Sequence, residues 1–291
     1  MNDVSLLDDL HQRVITWYAH HARALPWREP TTTAWGVLVS EIMLQQTPVN
    51  RVLPIYEAWM STWPTPADLA AVAPGEAVRA WGRLGYPRRA LRLHASAVAI
   101  CDQYDGEVPT DIDDLRALPG IGDYTAAAVA TFAFGQAHAV LDTNVRRVLE
   151  RVVGGAEFPP PSLSKAERRR AEDLIPDAEA PTWAIGLMEL GALVCTASTP
   201  RCADCPIAHS CAWNQAGKPP YTGAPRKGQG YAGTDRQCRG RILDVLRDSA
   251  TSVGAEDIVA AWSITAQRER ALSSLLDDGL VVQENNRYRL P

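Results

Sequence analysis

Four cysteines within seventeen residues, in "CTASTPRCADCPIAHSC", constrain this chain more than any other stretch of it. Cys195, Cys202, Cys205 and Cys211 follow the spacing C-x6-C-x2-C-x5-C, and no short helix or strand brings all four onto one face. The loop must therefore be organised by what it binds, and four thiolates so close can wrap one tetrahedral centre. Zinc and an iron–sulfur cluster are the candidates. A zinc ribbon pairs two C-x2-C knuckles across a longer gap, whereas this comb has one knuckle and two unequal flanks, so the spacing favours a 4Fe-4S cluster. Of the other two cysteines, Cys101 in "AVAICDQY" reads as helix core and Cys238 has no evident partner.

The N-terminus, "MNDVSLLDDLHQRV", is acidic and amphipathic, with neither a basic segment nor an apolar core of a leader, and no apolar run approaches twenty residues. The cytosol is the expected compartment, which argues against a disulfide framework. A chain of 291 residues with 46% hydrophobic content can bury more than one core. The net charge of −5 does not announce nucleic acid, but "RAWGRLGYPRRALRLH" (79–94) is rich in Arg and free of acids. "KAERRR" (165–170) and "PRK" (225–227) add basic spots. A single charge run is more often a solvated helix face, yet DNA binding needs only a local positive footprint.

From residue 6 to about 213 the text is helical. Leu6, Leu7, Leu10, Val14, Trp17 and Tyr18 recur at the spacing of an amphipathic helix, and Pro and Gly punctuation separates segments of helix length, several with an Asp, Thr or Ser cap. The expectation is a compact all-α array. Residues 215–237 are rich in Gly and Pro and read as a linker. Beyond it, "RGRILDVLRDS", "AEDIVAAWS" and "TAQRERALSSLLDDG" predict three short helices, and "LVVQENNRYRL" predicts two strands turned at Asn285-Asn286. Three helices and a hairpin resemble a winged helix.

In "LPGIGDYTAAAV" (118–129) Pro-Gly-Ile-Gly stands against a strong helix former. The turn is expected to present the backbone N–H groups of Gly120, Ile121 and Gly122 at a helix N-terminus, a seat for phosphate, with glycines permitting close approach. A plain helix–helix turn is the alternative. Asp142, in "AVLDTNVRRVLERV", reads as an N-cap, a position where helix dipole and backbone donors hold a carboxylate ionised. An ionised carboxylate aimed at a sugar can stabilise an oxocarbenium ion. Glu41, in "WGVLVSEIMLQQTPV", has Val37, Leu38 and Leu44 as helical neighbours; apolar surroundings keep a proton available for donation, unless Ser40, Glu41 and Gln45 form a solvated stripe.

Taken together, the hairpin, the Asp142 segment and the cysteine loop resemble the helix-hairpin-helix DNA glycosylase superfamily that includes endonuclease III. Within it, "SEIMLQQT" (40–47), "GLGYPRRA" (83–90), "LPGIGDYTAAAV", "VLDTNVRRVL" and "MELGALVC" (188–195) resemble the adenine DNA glycosylases of the MutY type. The resemblance covers roughly residues 6–213. It implies an all-α core, with a six-helix module (25–134) carrying the hairpin and an iron–sulfur helical domain (1–24 and 135–213). A linker (214–236) and a small α+β winged-helix-like domain (237–291) complete the expected order.

The family excises adenine mispaired with 8-oxoguanine or guanine in duplex DNA, so a bacterial, cytoplasmic, monomeric repair enzyme is implied, with one 4Fe-4S cluster on the four cysteines and no membrane partner. By resemblance Glu41 protonates the flipped adenine at N7 and Asp142 stabilises the oxocarbenium ion, with Asn144 as its backbone-contacting neighbour. Gln46 and Tyr86 enter the base stack, and Arg23 and Trp27 lie near the adenine pocket. Bifunctional relatives carry a Schiff-base Lys where this chain has Tyr124, and a phenol cannot form an imine, so a monofunctional enzyme is expected. Two rivals follow from the same features: a bifunctional endonuclease III-like enzyme, and a non-catalytic iron–sulfur regulator. The chain departs from the family at its end, since residues 236–291 are too short for the usual MutT-like reader domain.

Overall fold

The computed structural model describes residues 3–223 and 230–291. The basic spot at 225–227 and the middle of the linker lie outside the described residues. In chain order the helices are α1 (Asp3–His21), α2 (Ala34–Leu44), α3 (Val49–Thr62), α4 (Pro66–Ala70), α5 (Pro74–Trp81), α6 (Arg88–Gln103), α7 (Ile112–Ala117) and α8 (Asp123–Phe134). There follow α9 (Thr143–Leu149), α10 (Lys165–Glu172), α11 (Ala180–Leu193), α12 (Ala212–Gln215), α13 (Asp235–Asp248), α14 (Ala255–Ala261) and α15 (Thr265–Asp277), then the strands β1 (Val282–Glu284) and β2 (Arg287–Arg289). The expected caps are present: Thr33, Thr65, Asp142, Ser164 and Thr234 each accept a hydrogen bond from the first turn of the helix they begin.

The chain forms two compact units. One comprises Met1–Leu25, Thr110–Ile112 and Gly122–Pro225. Its core joins Leu10, Val14 and Trp17 of α1 to Trp183, Leu187 and Leu190 of α11 and to Val145 and Val148 of α9. Leu6, placed by its spacing on the same face of α1, is instead half exposed, and the packed stretch begins at Leu7. Gly186 lets the two helices close, since a Cβ there would stand 3.0 Å from Val14 Cγ1. α9 runs directly into a π-helical turn, Glu150–Gly154.

The second unit comprises Pro26–Pro109, Asp113–Ile121 and Arg226–Pro291, so α7 and the turn after it group here while α8 groups with the first. Trp59 lies edge-on to both Trp63 and Trp81 in its core. The C-terminal segment has the three helices and the hairpin read from the sequence, with Asn285 and Asn286 both at positive φ in the turn. It is fastened to α5 rather than tethered: Gly75 N donates to Pro291 O at 2.7 Å, Arg247 Nε to Val78 O at 3.1 Å, and Arg79 to the Ser249 carbonyl at 2.9 Å. Cys238, for which the sequence offered no partner, is buried in α13 with its thiol 3.9 Å from Gln267 O. No helix among the described residues is long and apolar enough to cross a membrane.

Candidate active site and thiol cavity

Asp142 is the N-cap of α9, with Oδ1 accepting from Val145 N at 2.6 Å and Oδ2 from Asn144 Nδ2 at 2.8 Å. Asn144 in turn accepts from Arg147 Nη2 at 2.8 Å, and Arg147 donates onward to Gly191 O (2.7 Å) and Cys195 O (2.8 Å). Asp142 is thus tied through two side chains to the carbonyl of the first cysteine of the comb. Gly191 makes this possible, because a Cβ there would fall 2.6 Å from Asn144 Cβ and 3.0 Å from its carbonyl. At Asp142 the cap donors, which favour the ionised form, work against burial. Burial pushes its carboxyl above the usual range, and the donors at Val145 and Asn144 and the charge of Arg147 offset this only in part.

Glu41 lies in the last turn of α2, where every residue from Trp35 to Met43 is buried. Ser40 (1% exposed) and Glu41 (6%) are therefore not a solvated stripe. Trp27 is buried edge-on to Tyr56. The residues expected to enter DNA, Gln46 and Tyr86, are both exposed and both in the left-handed region (φ 55° and 49°), which side chains rarely adopt. Arg23 is committed within its own unit: its backbone N and Nε donate to Glu189 Oε1 at 3.0 and 2.7 Å, and Nη2 to Oε2 at 2.8 Å. Glu189 is fully buried on α11. Sequence reading missed it, although a carboxylate inside the apolar run "WAIGLMELGAL" was the available signal.

In the hairpin turn Gly120 has φ 81°, and a Cβ would meet the Arg92 side chain at 2.7 Å, so internal geometry alone demands glycine. Gly122 differs: its φ is negative and a Cβ would meet nothing within 4 Å. Nothing among the described residues requires a bare backbone there. Ile121 is a correction, because its N–H already donates to Leu118 O at 3.1 Å and its side chain is buried, so it is an anchor of the turn rather than a phosphate donor. Tyr124, on the first turn of α8, packs against a small core of Ala128, Val140 and Ala184.

Cys195, Cys202, Cys205 and Cys211 line one cavity, walled by Leu190 and Ile207 among others. The thiols stand within electrostatic reach of one another: Cys205 is pushed up to about 12, chiefly by burial and further by the other three. The fully buried Arg151 donates to Cys195 Sγ at 3.2 Å and to Thr196 O at 2.8 Å, with its guanidinium over the Trp213 ring. A buried cation beside converging thiols fits a group that is anionic when four thiolates bind it. Among the described residues no three His, Cys, Asp or Glu side chains close tightly enough for a single ion.

A family model for HhH-GPD superfamily base excision DNA repair proteins matches residues 39–173. The chain is 56% identical to the adenine DNA glycosylase of Mycolicibacterium smegmatis over 93% of its own length and 92% of the relative's. It is 38% identical to the adenine DNA glycosylase of Homo sapiens over 72% of this chain and 40% of the human one. Among solved structures, a thermostable thymine-DNA glycosylase superposes with a TM-score of 0.67 at 28% identity, covering 73% of this chain and 98% of that one. Endonuclease III in a non-covalent complex with DNA gives 0.62 at 25% identity, covering 74% and 98%. Fold and site together define a helix-hairpin-helix base excision repair protein, and the chain belongs to the adenine DNA glycosylase family of that superfamily.

Proposed function

We propose that this chain hydrolyses the N-glycosidic bond of adenine in duplex DNA where adenine stands opposite 8-oxoguanine or guanine, leaving an abasic site. The observation that carries the reading is the half-buried carboxylate of Asp142, fixed by Val145 and Asn144 at the head of α9. An anion partly shielded from water is costly in the free enzyme, and that cost is relieved when positive charge develops on the deoxyribose. The interaction is therefore stronger in the transition state than in the ground state, as catalysis requires. Glu41 supplies the proton to adenine N7, making the base a better leaving group, and water completes the hydrolysis. The nucleotide must first leave the stack, because its glycosidic bond is unreachable inside a duplex. Gln46 and Tyr86 enter the space beside the orphaned base.

Gly120 and Gly122 offer the backbone of the hairpin to the DNA phosphates. The open space at Gly122, unused by the protein itself, supports this role. Tyr124 stands where an imine-forming Lys would permit strand cleavage, so the enzyme is a glycosylase without lyase chemistry. The four cysteines hold a 4Fe-4S cluster: they line one cavity beside the buried Arg151, and a single C-x2-C knuckle with unequal flanks suits such a cluster better than a zinc ribbon. The cluster orders the loop after Cys195. Cys202→Ser is expected to bleach the brown protein, lower its melting temperature and weaken binding to undamaged duplex together; loss of colour with affinity untouched defeats the ordering role.

The test of the main reading is a labelled duplex with adenine opposite 8-oxoguanine, incubated and then treated with alkali. Cleavage only after alkali is expected. Cleavage without alkali supports a bifunctional lyase, and retention of an intact strand supports a non-catalytic regulator.

A further inference from the structure

The two exposed side chains assigned to the duplex, Gln46 and Tyr86, sit on separate turns forty residues apart, one after α2 and one between α5 and α6. Each turn holds a non-glycine residue at positive φ, a strained conformation that survives only where neighbours over-determine it. Both turns converge on one buried side chain, Arg89, in the first turn of α6. Its Nη1 donates to Ile42 O (2.8 Å), Met43 O (3.0 Å) and Gln45 O (2.5 Å), the carbonyls that end α2. Its Nη2 donates to Thr47 Oγ1 (2.9 Å) on the first turn and to Gly85 O (3.0 Å) on the second. The guanidinium carbon lies 5.6 Å from the Tyr86 ring centroid and 5.1 Å from that of Trp81.

We infer that Arg89 is a positioning residue that ties the Gln46 and Tyr86 turns into one rigid wedge, so that the two side chains enter the duplex as a unit and the mispair is recognised cooperatively. The inference rests on the reading that places Gln46 and Tyr86 in the DNA. Geometry explains why arginine is needed. Only a planar fork can serve the α2 carbonyls with one nitrogen and bridge the two turns with the other; an ammonium is a single point. The same fork caps the helix that carries Glu41, at the end where its dipole is negative. Burial brings the guanidinium down to about 10, which leaves it cationic at neutral pH. A side chain that merely filled space would not need to stay charged there.

The experiment is a double-mutant cycle between Gln46→Ala and Tyr86→Ala, run in the natural chain and in Arg89→Lys. It reads the ratio of affinities for a duplex carrying a non-cleavable adenine analogue opposite 8-oxoguanine and for an undamaged duplex. In the natural chain the two substitutions should combine non-additively, with coupling on the order of tenfold. In Arg89→Lys the coupling should vanish and the ratio itself should fall. Coupling that persists in Arg89→Lys overturns the tie alone. If neither Gln46→Ala nor Tyr86→Ala moves the ratio, the placement of those residues in the duplex falls and the tie falls with it. Should Arg89→Lys fail to fold by circular dichroism, Thr47→Val cuts one acceptor of the fork and must weaken the same coupling; unchanged coupling there is equally fatal.

Discussion

Glu41 is a buried carboxylate and Asp142 a half-buried one, and the chain arrives at each by a different route. Asp142 is placed by local chemistry: it caps the helix that follows it, and its donors, Val145 and Asn144, lie within three residues. Glu41 is placed by tertiary packing, inside a helix buried on all sides from Trp35 to Met43 and closed at its end by Arg89, which reaches it from α6. The first arrangement surrounds a charge with donors that travel with it. In the second, whatever packs around α2 decides how the carboxyl behaves. Each suits the role proposed for it, one as a resident anion and one as a proton source, and substitutions that keep shape while removing charge or acidity separate the two.

The largest effect should follow Glu41→Gln, which removes the proton donor outright. Single-turnover adenine release should fall by about 10²–10⁴-fold, while binding to the same duplex is kept. Near-natural rates would mean that the leaving base finds its proton elsewhere. Asp142→Asn comes next, at about 10²–10³-fold, a magnitude typical of one well-placed electrostatic group. Asn is itself a good cap, so the variant should fold with α9 intact and still bind DNA. A variant lost through misfolding would point to a structural role for Asp142, not a chemical one.

Much of this contrast could be read from the sequence, and the boundary falls where contacts stop being local. Asp142 announced itself because capping is a short-range pattern, and so did the hairpin at Asn285-Asn286, where both residues take the positive φ that such a turn needs. The helices of the C-terminal segment were equally legible. Long-range partners were not: Arg23 and Glu189 are 166 positions apart, and Arg89 meets Gln45 across 44. Pattern reading saw Arg89 only as part of a basic stretch. Ile121 failed for a related reason, since whether its N–H faces outward depends on how the turn spends its own hydrogen bonds. The upward pull on the Asp142 carboxyl was not legible, because a cap can be recognised in a sequence and its burial cannot.

The smallest predicted effect tests the burial of Asp142. Burial raises the Asp142 carboxyl above its usual value in the folded protein, whereas in the unfolded chain it titrates normally. Between the two values the folded state holds the extra proton, so stability falls as pH rises through this window. The contribution is fully present below the ordinary carboxylate value near 3.8 and is lost once pH passes the raised folded value. Asp142→Asn has no such proton to lose. The difference in melting temperature between the natural chain and Asp142→Asn, followed from pH 7 downward, should therefore shift in favour of the natural chain as the carboxyl takes up its proton, and everything common to both chains cancels. A difference that stays flat with pH would mean that Val145, Asn144 and Arg147 together compensate the burial. Asp142 would then be an ordinary cap whose charge costs the free enzyme nothing, and the relief of that cost in the transition state would no longer account for its part in the chemistry.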